Sequence, residues 1–341
     1  MIRMQTITTA DYHTAGEPFR IVTGGVEVPA GATVLDRRSA CIANAGGLDD
    51  VRAFLVNEPR GHADMYGCFV TPADDGAAFG MVFFHKDGFS TACGHGTIAG
   101  VTWALDSGLV EAVSPRTDLY VDVPSGRLAV SASVDAHGRV GEVLFTNVAS
   151  WVSATDVVIA AAGRDWTVDV SYGGAFYASV RAADAGLSIV PGDLDSLIAV
   201  GRAIKRAMDG HRAVQHPVDA RLSGCYGTIW WEPLDTPDGA DIAQRNVTIF
   251  ADGEVDRSPC GSGTSARLAV LHLRGELDVG EVLRHEGIVG TSFSGRVLAT
   301  AAGPEGRLAV TTQVGGHAFA TGRHEFVLDD RDDLGLGFQL R

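Results

Sequence analysis

Two glycine-rich stretches decide the fold of this chain: CGHGTIA at residues 93–99 and CGSGTSA at residues 260–266. Both follow the pattern C-G-x-G-T-x-A, and they lie about half the chain apart. A short apolar run and an acidic turn precede each stretch, and an apolar segment follows it. This repeat predicts two halves of like fold, each of which presents one cysteine at the N-terminus of a helix.

The rest of the chain indicates a mixed α/β fold. Runs rich in Val, Phe and Leu, such as Val140–Thr146, lie between turn residues and predict strands. Residues 193–208 place their apolar side chains near helical spacing and predict a helix. Residues 97–107 and 265–274 each follow a glycine-rich loop and end at a glycine, Gly108 or Gly275, which also predicts helices.

The length of 341 residues predicts two α/β halves. Residues 1–150 form the first half, which carries Cys93 and whose C-terminal strand is expected to cross over. Residues 151–341 form the second half, which carries Cys260.

The charge of the chain excludes several classes of partner. The formal net charge is −15, whereas a nucleic acid or an anionic membrane surface is bound by basic proteins. The start of the chain is polar, and no uncharged apolar run approaches the ~20 residues of a spanning helix. We therefore expect a cytoplasmic protein with no nucleic-acid partner and no membrane partner; a homodimer is a candidate assembly.

Two of the five cysteines have a sequence context that indicates chemistry. Their odd number and scattered spacing do not indicate a disulfide framework, and Cys41, Cys68 and Cys225 are expected to be buried apolar residues. A helix N-terminus has unpaired amides and the positive end of the helix dipole. A cysteine at that place is expected to have a lowered pKa, and the same amides can bind a carboxylate.

A pair of such thiols predicts exchange of a proton at a carbon next to a carboxylate. Inversion needs a base on one face of the carbon and an acid on the other, and two thiols supply both. Pyridoxal phosphate would need a Schiff-base lysine, and neither Lys86 nor Lys205 lies in a recognisable motif. The metal and nucleotide motifs H-E-x-x-H, C-x-x-C and G-x-x-x-x-G-K-[ST] are also missing. We expect an enzyme without cofactor or metal.

At these residues the chain resembles the proline racemase family. The match comprises ACGHG at residues 92–96 and the longer, more specific DRSPCGSGTSA at residues 256–266. HTAGEP at residues 13–18, EPRGH at 58–62 and DVSYGG at 169–174 extend it over nearly the whole chain. Alanine stands at residue 15 instead of the expected glycine, and at residue 92 instead of the common methionine.

The resemblance implies a diaminopimelate-epimerase-like fold. It has two pseudo-symmetric α/β halves, each a curved sheet or barrel around a central helix, with the active site in the cleft between them. The resemblance makes Cys93 and Cys260 the acid/base pair for an imino acid, proline or a hydroxyproline. It assigns substrate binding to Gly94, His95, Asp256, Gly261 and Ser262. His95 as a helix cap and Asp256 as a plain turn residue are the alternatives.

Two reactions of the family stay open. Both cysteines are present, which favours a racemase or 4-hydroxyproline 2-epimerase, because the trans-3-hydroxy-L-proline dehydratases typically replace one of them. Residues 64–67, 172–177 and 225–229, however, look more like those of the dehydratases.

Two other classes of protein are alternatives. Both loops match G-x-G-x-x-A, as in a nicotinamide-dependent oxidoreductase, although a cysteine would crowd that turn. A non-catalytic amino-acid-binding protein would need no thiol chemistry.

Overall fold

The computed structural model describes residues 6–329 and 331–340, which form two compact units. Unit 1 comprises the residues up to Val143 together with those from His317 onward, and unit 2 is Leu144–Gly316. These bounds differ from the sequence-based division at residue 150, because the last strand of the chain crosses over to pair with the first one.

The helices and strands, in chain order, are as follows. The strands are β1 (Ile7–Thr14), β2 (Glu17–Gly24), β3 (Tyr66–Thr71), β4 (Phe79–His85), β5 (Gly88–Phe89), β6 (Arg116–Val123), β7 (Gly126–Val134), β8 (Val140–Thr146), β9 (Ser150–Ala161), β10 (Arg164–Tyr172), β11 (Phe176–Arg181), β12 (Cys225–Pro233), β13 (Ile242–Phe250), β14 (Glu254–Asp256), β15 (Val282–Gly287), β16 (Ser292–Ala302), β17 (Leu308–Gly316) and β18 (Ala318–Phe326). The helices are α1 (Val34–Ile42), α2 (Leu48–Val56), α3 (Gly94–Asp106), α4 (Leu194–Ala207) and α5 (Gly261–Leu273).

Unit 1 is a mixed sheet that packs on a buried helix. Its strands follow the order β18-β1-β2-β3-β4-β6-β7, with parallel pairs at β2–β3 and β4–β6 and antiparallel pairs elsewhere. Helix α3 packs against β1, β2 and β18. Its first nine residues are all buried, so this helix lies in the core of the unit.

Unit 2 is a closed barrel of eight strands. The order is β9-β10-β11-β12-β13-β15-β16-β17, and the pairing of Ala309 with Trp151 joins β17 back to β9. Helix α5 packs against β9, β10, β11, β16 and β17, and Gly261–Leu271 are buried. The predicted α/β architecture, with a barrel around a central helix, is confirmed in this unit.

Helix α4 uses a glycine to pack tightly on the barrel. Its residues Leu197, Gly201 and Ile204 are buried. A Cβ at Gly201 would lie 2.9 Å from both Ile249 and the indole nitrogen of Trp230. That indole nitrogen donates to the carbonyl of Leu197 at 3.0 Å, so the helix and β12 are joined by a buried hydrogen bond.

Candidate active site

Cys93 occupies the N-cap position of α3. Its backbone is extended, with φ −155° and ψ 102°, and its thiol is buried. The Gly96 N–H donates to Cys93 Sγ at 3.2 Å. The carbonyl of Cys93 accepts from the N–H of Thr97 at 2.9 Å and from its hydroxyl at 2.8 Å. An amide hydrogen bond of this kind stabilises negative charge that develops on a sulfur.

The glycine at residue 96 makes this geometry possible. A Cβ there would lie 2.4 Å from the ring of Phe19 and 2.7 Å from Cys93 Sγ. Any larger residue would therefore displace either the aromatic ring or the thiol.

His95 packs against the Cys93 thiol instead of capping the helix. Its Nε2 lies 3.4 Å and its Nδ1 3.6 Å from Sγ. The imidazole meets the rings of Tyr66 and Phe19 edge to face, at 4.9 and 5.6 Å between centroids. Burial lowers the pKa of His95 to about 3. A neutral imidazole therefore lies beside the thiol and can exchange a hydrogen bond with it.

Cys260 occupies the equivalent position at α5 in a different backbone conformation. Its φ of 59° lies in the left-handed region, which is sterically costly for a non-glycine residue. The N–H of Cys260 donates to Ser258 Oγ at 3.1 Å, and its carbonyl accepts from Thr264 N–H at 2.6 Å. A Cβ at Gly263 would lie 2.9 Å from Cys260 Sγ, so this glycine has the same role as its counterpart in unit 1.

The Cys260 thiol contacts a tyrosine hydroxyl. Its Sγ lies 3.6 Å from Tyr177 Oη, which in turn lies 2.7 Å from Ser262 Oγ. Tyr177 is fully buried on β11. The thiol and two hydroxyls therefore form a chain along which a proton can be shared.

Asp256 organises the turn before Cys260. One of its carboxylate oxygens accepts from both the N–H and the hydroxyl of Ser258, at 2.9 and 2.7 Å. Burial raises the pKa of Asp256 to about 6, although the bonds from Ser258 oppose this shift. Asp256 is thus both a turn residue and a buried titratable group next to the thiol.

The expected low pKa of a helix-terminal thiol is wrong for Cys260. Burial and the nearby Asp256 carboxylate raise the pKa of Cys260 to about 12, although the Tyr177 hydroxyl opposes this shift. The cost of desolvating the thiolate exceeds what the hydrogen bonds to the sulfur, including one from the Gly263 amide, contribute. In this structure Cys260 is therefore the protonated thiol.

The other residues named from the sequence lie in the same first turns. Gly94 and Gly261 are the first residues of α3 and α5, so their amides belong to the unpaired N-terminal set. Tyr177 and Ser258 were not named as site residues from the sequence. Ser258 lies inside the DRSPC motif and contacts Asp256 and Cys260, each two residues away in the sequence. Tyr177 ends the segment 172–177, and only the folded chain shows its contact with Cys260, which lies 83 residues further along.

The three other cysteines are buried free thiols. Burial raises the pKa of Cys41 and Cys225 to about 12 and also raises that of Cys68, so all three are protonated at neutral pH. Among residues 6–329 and 331–340, no cluster of three His, Cys, Asp or Glu side chains could hold a metal ion. No helix in that part of the chain has the length and hydropathy needed to span a membrane.

Comparisons with known proteins give a consistent result. A family model described as proline racemase matches residues 9–339. A trans-3-hydroxy-L-proline dehydratase of Bacillus thuringiensis subsp. konkukian is 45% identical over 334 residues, 98% of each chain. A 3-hydroxyproline 2-epimerase of Burkholderia multivorans is 40% identical over 340 residues, 99% of each chain.

A solved structure agrees with the fold. The hydroxyproline epimerase from Agrobacterium vitis, with bound trans-4-hydroxy-L-proline, superposes with a TM-score of 0.90 at 32% identity. The match covers 100% of this chain and 97% of that one.

Proposed function

The chain belongs to the proline racemase family, and on that premise we propose that it moves the α-proton of a 3-hydroxyproline with Cys93 and Cys260 as its acid/base pair. The observation that carries this proposal is the repeated placement of a buried cysteine at the first turn of a buried helix. The choice of substrate is supported by relatives at 40–45% identity that are named for 3-hydroxyproline.

The proposed reaction is inversion at Cα. Cys93, whose sulfur accepts an amide hydrogen bond, is the thiolate that takes the α-proton, so the Cα–H bond breaks and an S–H bond forms. Cys260, whose pKa is raised, gives its proton to the opposite face of the carbon. Afterwards Cys93 is the protonated thiol and Cys260 is the thiolate, so the enzyme can catalyse the reverse reaction.

The charge that develops on the substrate carboxylate needs stabilisation. We assign this role to the first amides of α3 and α5, at Gly94, Gly261 and Ser262. We assign recognition of the ring nitrogen to His95 and Asp256, a neutral imidazole and a buried carboxyl group.

Dehydration is the second candidate, and the names of the relatives at 44–45% identity favour it. In this reaction the electrons from the broken Cα–H bond expel the 3-hydroxyl, which leaves as water with a proton from Cys260. The cyclic enamine that results tautomerises to an imine. Tyr177, in contact with Cys260, is placed to assist that proton transfer.

Proton NMR in deuterated water separates the two reactions. Trans-3-hydroxy-L-proline, trans-4-hydroxy-L-proline and L-proline are incubated in parallel with the enzyme. Inversion predicts deuterium at Cα and a second diastereomer of 3-hydroxyproline, whereas dehydration predicts loss of the C3 hydroxyl and a cyclic imine. If none of the three compounds exchanged its α-proton and none was converted to a cyclic imine, both candidates would be refuted.

A further inference from the structure

A second polar cavity lies in unit 2, around the C-terminal half of α5. Its volume is about 320 Å³, and its walls come from α5 and from strands β10, β11 and β12. Small-molecule sites in proteins occupy roughly 300–1,000 Å³, so the cavity is large enough for a compact metabolite. Cys260 lies at the opposite end of the same helix.

A buried arginine in the cavity wall makes no direct ion pair with the described residues. Arg267 is 2% exposed, and its Nε donates to Gln244 Oε1 at 2.9 Å. Its guanidinium group stacks on the ring of Trp231, 3.9 Å from the centroid. Within residues 6–329 and 331–340, its terminal nitrogens make no hydrogen bond and no carboxylate reaches ion-pair distance. Burial lowers the pKa of Arg267 to about 10, although the carboxylates of Glu276 and Asp169 oppose this shift from beyond ion-pair distance.

Strand β11 adds two more polar groups to the same wall. Alternation along the strand places Ser179 and Arg181 on one face. The hydroxyl of Ser179 is buried and has no partner in the described part of the chain. Arg181 lies 5.9 Å from the ring of Trp231 and is likewise without an ion pair there. A buried cation, a buried hydroxyl and a second cation thus converge around one indole.

The carboxylates of the cavity divide into two groups. Asp169 and Asp156 bind Arg274, at 2.7 and 3.2 Å. Asp184 and Glu276 are exposed at the cavity and have no ion pair within residues 6–329 and 331–340. The groups of the cavity wall that make no ion pair with the described residues are therefore two cations, Arg267 and Arg181, and two anions, Asp184 and Glu276.

We propose that this cavity binds a small zwitterion of amino-acid size. The carboxylate of the ligand binds Arg267 and Arg181 through charge-assisted hydrogen bonds, with Ser179 as a further donor. Its ammonium group is held by Glu276 and Asp184. A buried charge without a partner is costly, and the ligand carboxylate supplies that partner.

Fluorine NMR of protein labelled with 5-fluorotryptophan tests this site directly. The chain has five tryptophans, and the Trp231→Phe variant identifies the signal of Trp231. L-proline is the probe for a zwitterion, and sulfate is the probe for an anion alone. We expect L-proline to shift the Trp231 signal saturably. We expect sulfate to leave it unchanged.

Variants show whether the shift comes from the cavity. Arg267→Met, which keeps the volume of the side chain, should raise the half-saturation concentration about tenfold or more, as loss of a charge-assisted pair predicts. Arg181→Ala changes an exposed side chain and tests the same pocket if Arg267→Met does not fold. Arg296→Ala, an exposed arginine on β16, is the matched control and should have no effect.

Three outcomes would overturn the proposal. They are a Trp231 signal that L-proline does not move, a shift that persists unchanged in both Arg267→Met and Arg181→Ala, and an equal saturable shift with sulfate. The last result would show a simple anion site.

Discussion

At the scale of single residues, the two cysteines of the repeat have unlike surroundings. Cys93 accepts an amide hydrogen bond and packs on a neutral imidazole. Cys260 has a tyrosine hydroxyl and a buried carboxyl group as neighbours. The similar motifs do not predict this difference, because Tyr177 lies on a strand 83 residues before Cys260 in the sequence.

The Tyr177 hydroxyl should matter for turnover. Tyr177→Phe removes the group that contacts Cys260 Sγ and Ser262 Oγ while keeping the packed ring. We expect kcat to fall about tenfold, at the lower end of the effects seen for proton-transfer groups, with a small change in KM. Tyr120→Phe, at an exposed tyrosine of β6, is the control. An unchanged kcat in Tyr177→Phe would show that the hydroxyl takes no part in the mechanism.

Asp256 should make the stability of the fold depend on pH. Its pKa in the folded chain is about 6, above the ~3.9 of an unfolded aspartate. Between these values the folded chain holds a proton that the unfolded chain releases, so this contribution to stability is full below about pH 4 and is lost as the pH rises through 6.

Urea unfolding of wild type and Asp256→Asn from pH 4 to pH 7 measures this effect. The asparagine variant keeps the oxygen that accepts from Ser258 but cannot titrate. The free energy of unfolding of wild type should fall relative to that of the variant as the pH rises. The slope of this difference against pH should correspond to the release of at most about one proton on unfolding. A difference between the two proteins that is constant across this range would contradict the raised pKa.

At the scale of elements, the helix starts differ most from the sequence-based prediction. Residues 97–107 and 265–274 were predicted as helices, and the observed helices begin earlier, at Gly94 and Gly261. The sequence-based prediction starts each helix after the glycine-rich stretch, which it takes as a loop. In the structure the glycines belong to the first helical turns, and glycine is required at residues 96 and 263 because a Cβ there would collide with the sulfur of Cys93 or Cys260.

Gly96→Ala tests this packing. The new methyl group would collide with Phe19 and Cys93 Sγ, and overpacking of this kind costs about 1–3 kcal/mol. We expect a lower free energy of unfolding and a strongly reduced kcat. Gly192→Ala is the matched control, because a Cβ there meets no atom within 4 Å. Equal free energies of unfolding for the two variants would show that the first turn of α3 accommodates the added methyl group without loss of stability.

At the scale of the whole molecule, local sequence patterns predicted the class of fold but not the pairing of strands that lie far apart along the chain. The repeat and the alternation of strands and helices gave the α/β class, and Val140–Thr146 was predicted as a strand with the bounds of β8. Helices α1 and α2 were missed because Arg37 and Arg52, which appear solvent-facing in the sequence, are buried against backbone carbonyls. The return of β18 to β1 and the closure of β17 on β9 depend on long-range pairing that local sequence does not encode.

The rate of Cα inversion of trans-3-hydroxy-L-proline in single-thiol variants tests the central claim most directly. Cys93→Ser and Cys260→Ser should each lower that rate at least about a hundredfold, because a serine hydroxyl is a far weaker acid than a thiol and is not ionised at neutral pH, so it cannot act as the base. Cys225→Ser, at a buried thiol of unit 2 outside the repeat, should keep the wild-type rate. Wild-type inversion in either Cys93→Ser or Cys260→Ser would contradict the two-thiol mechanism.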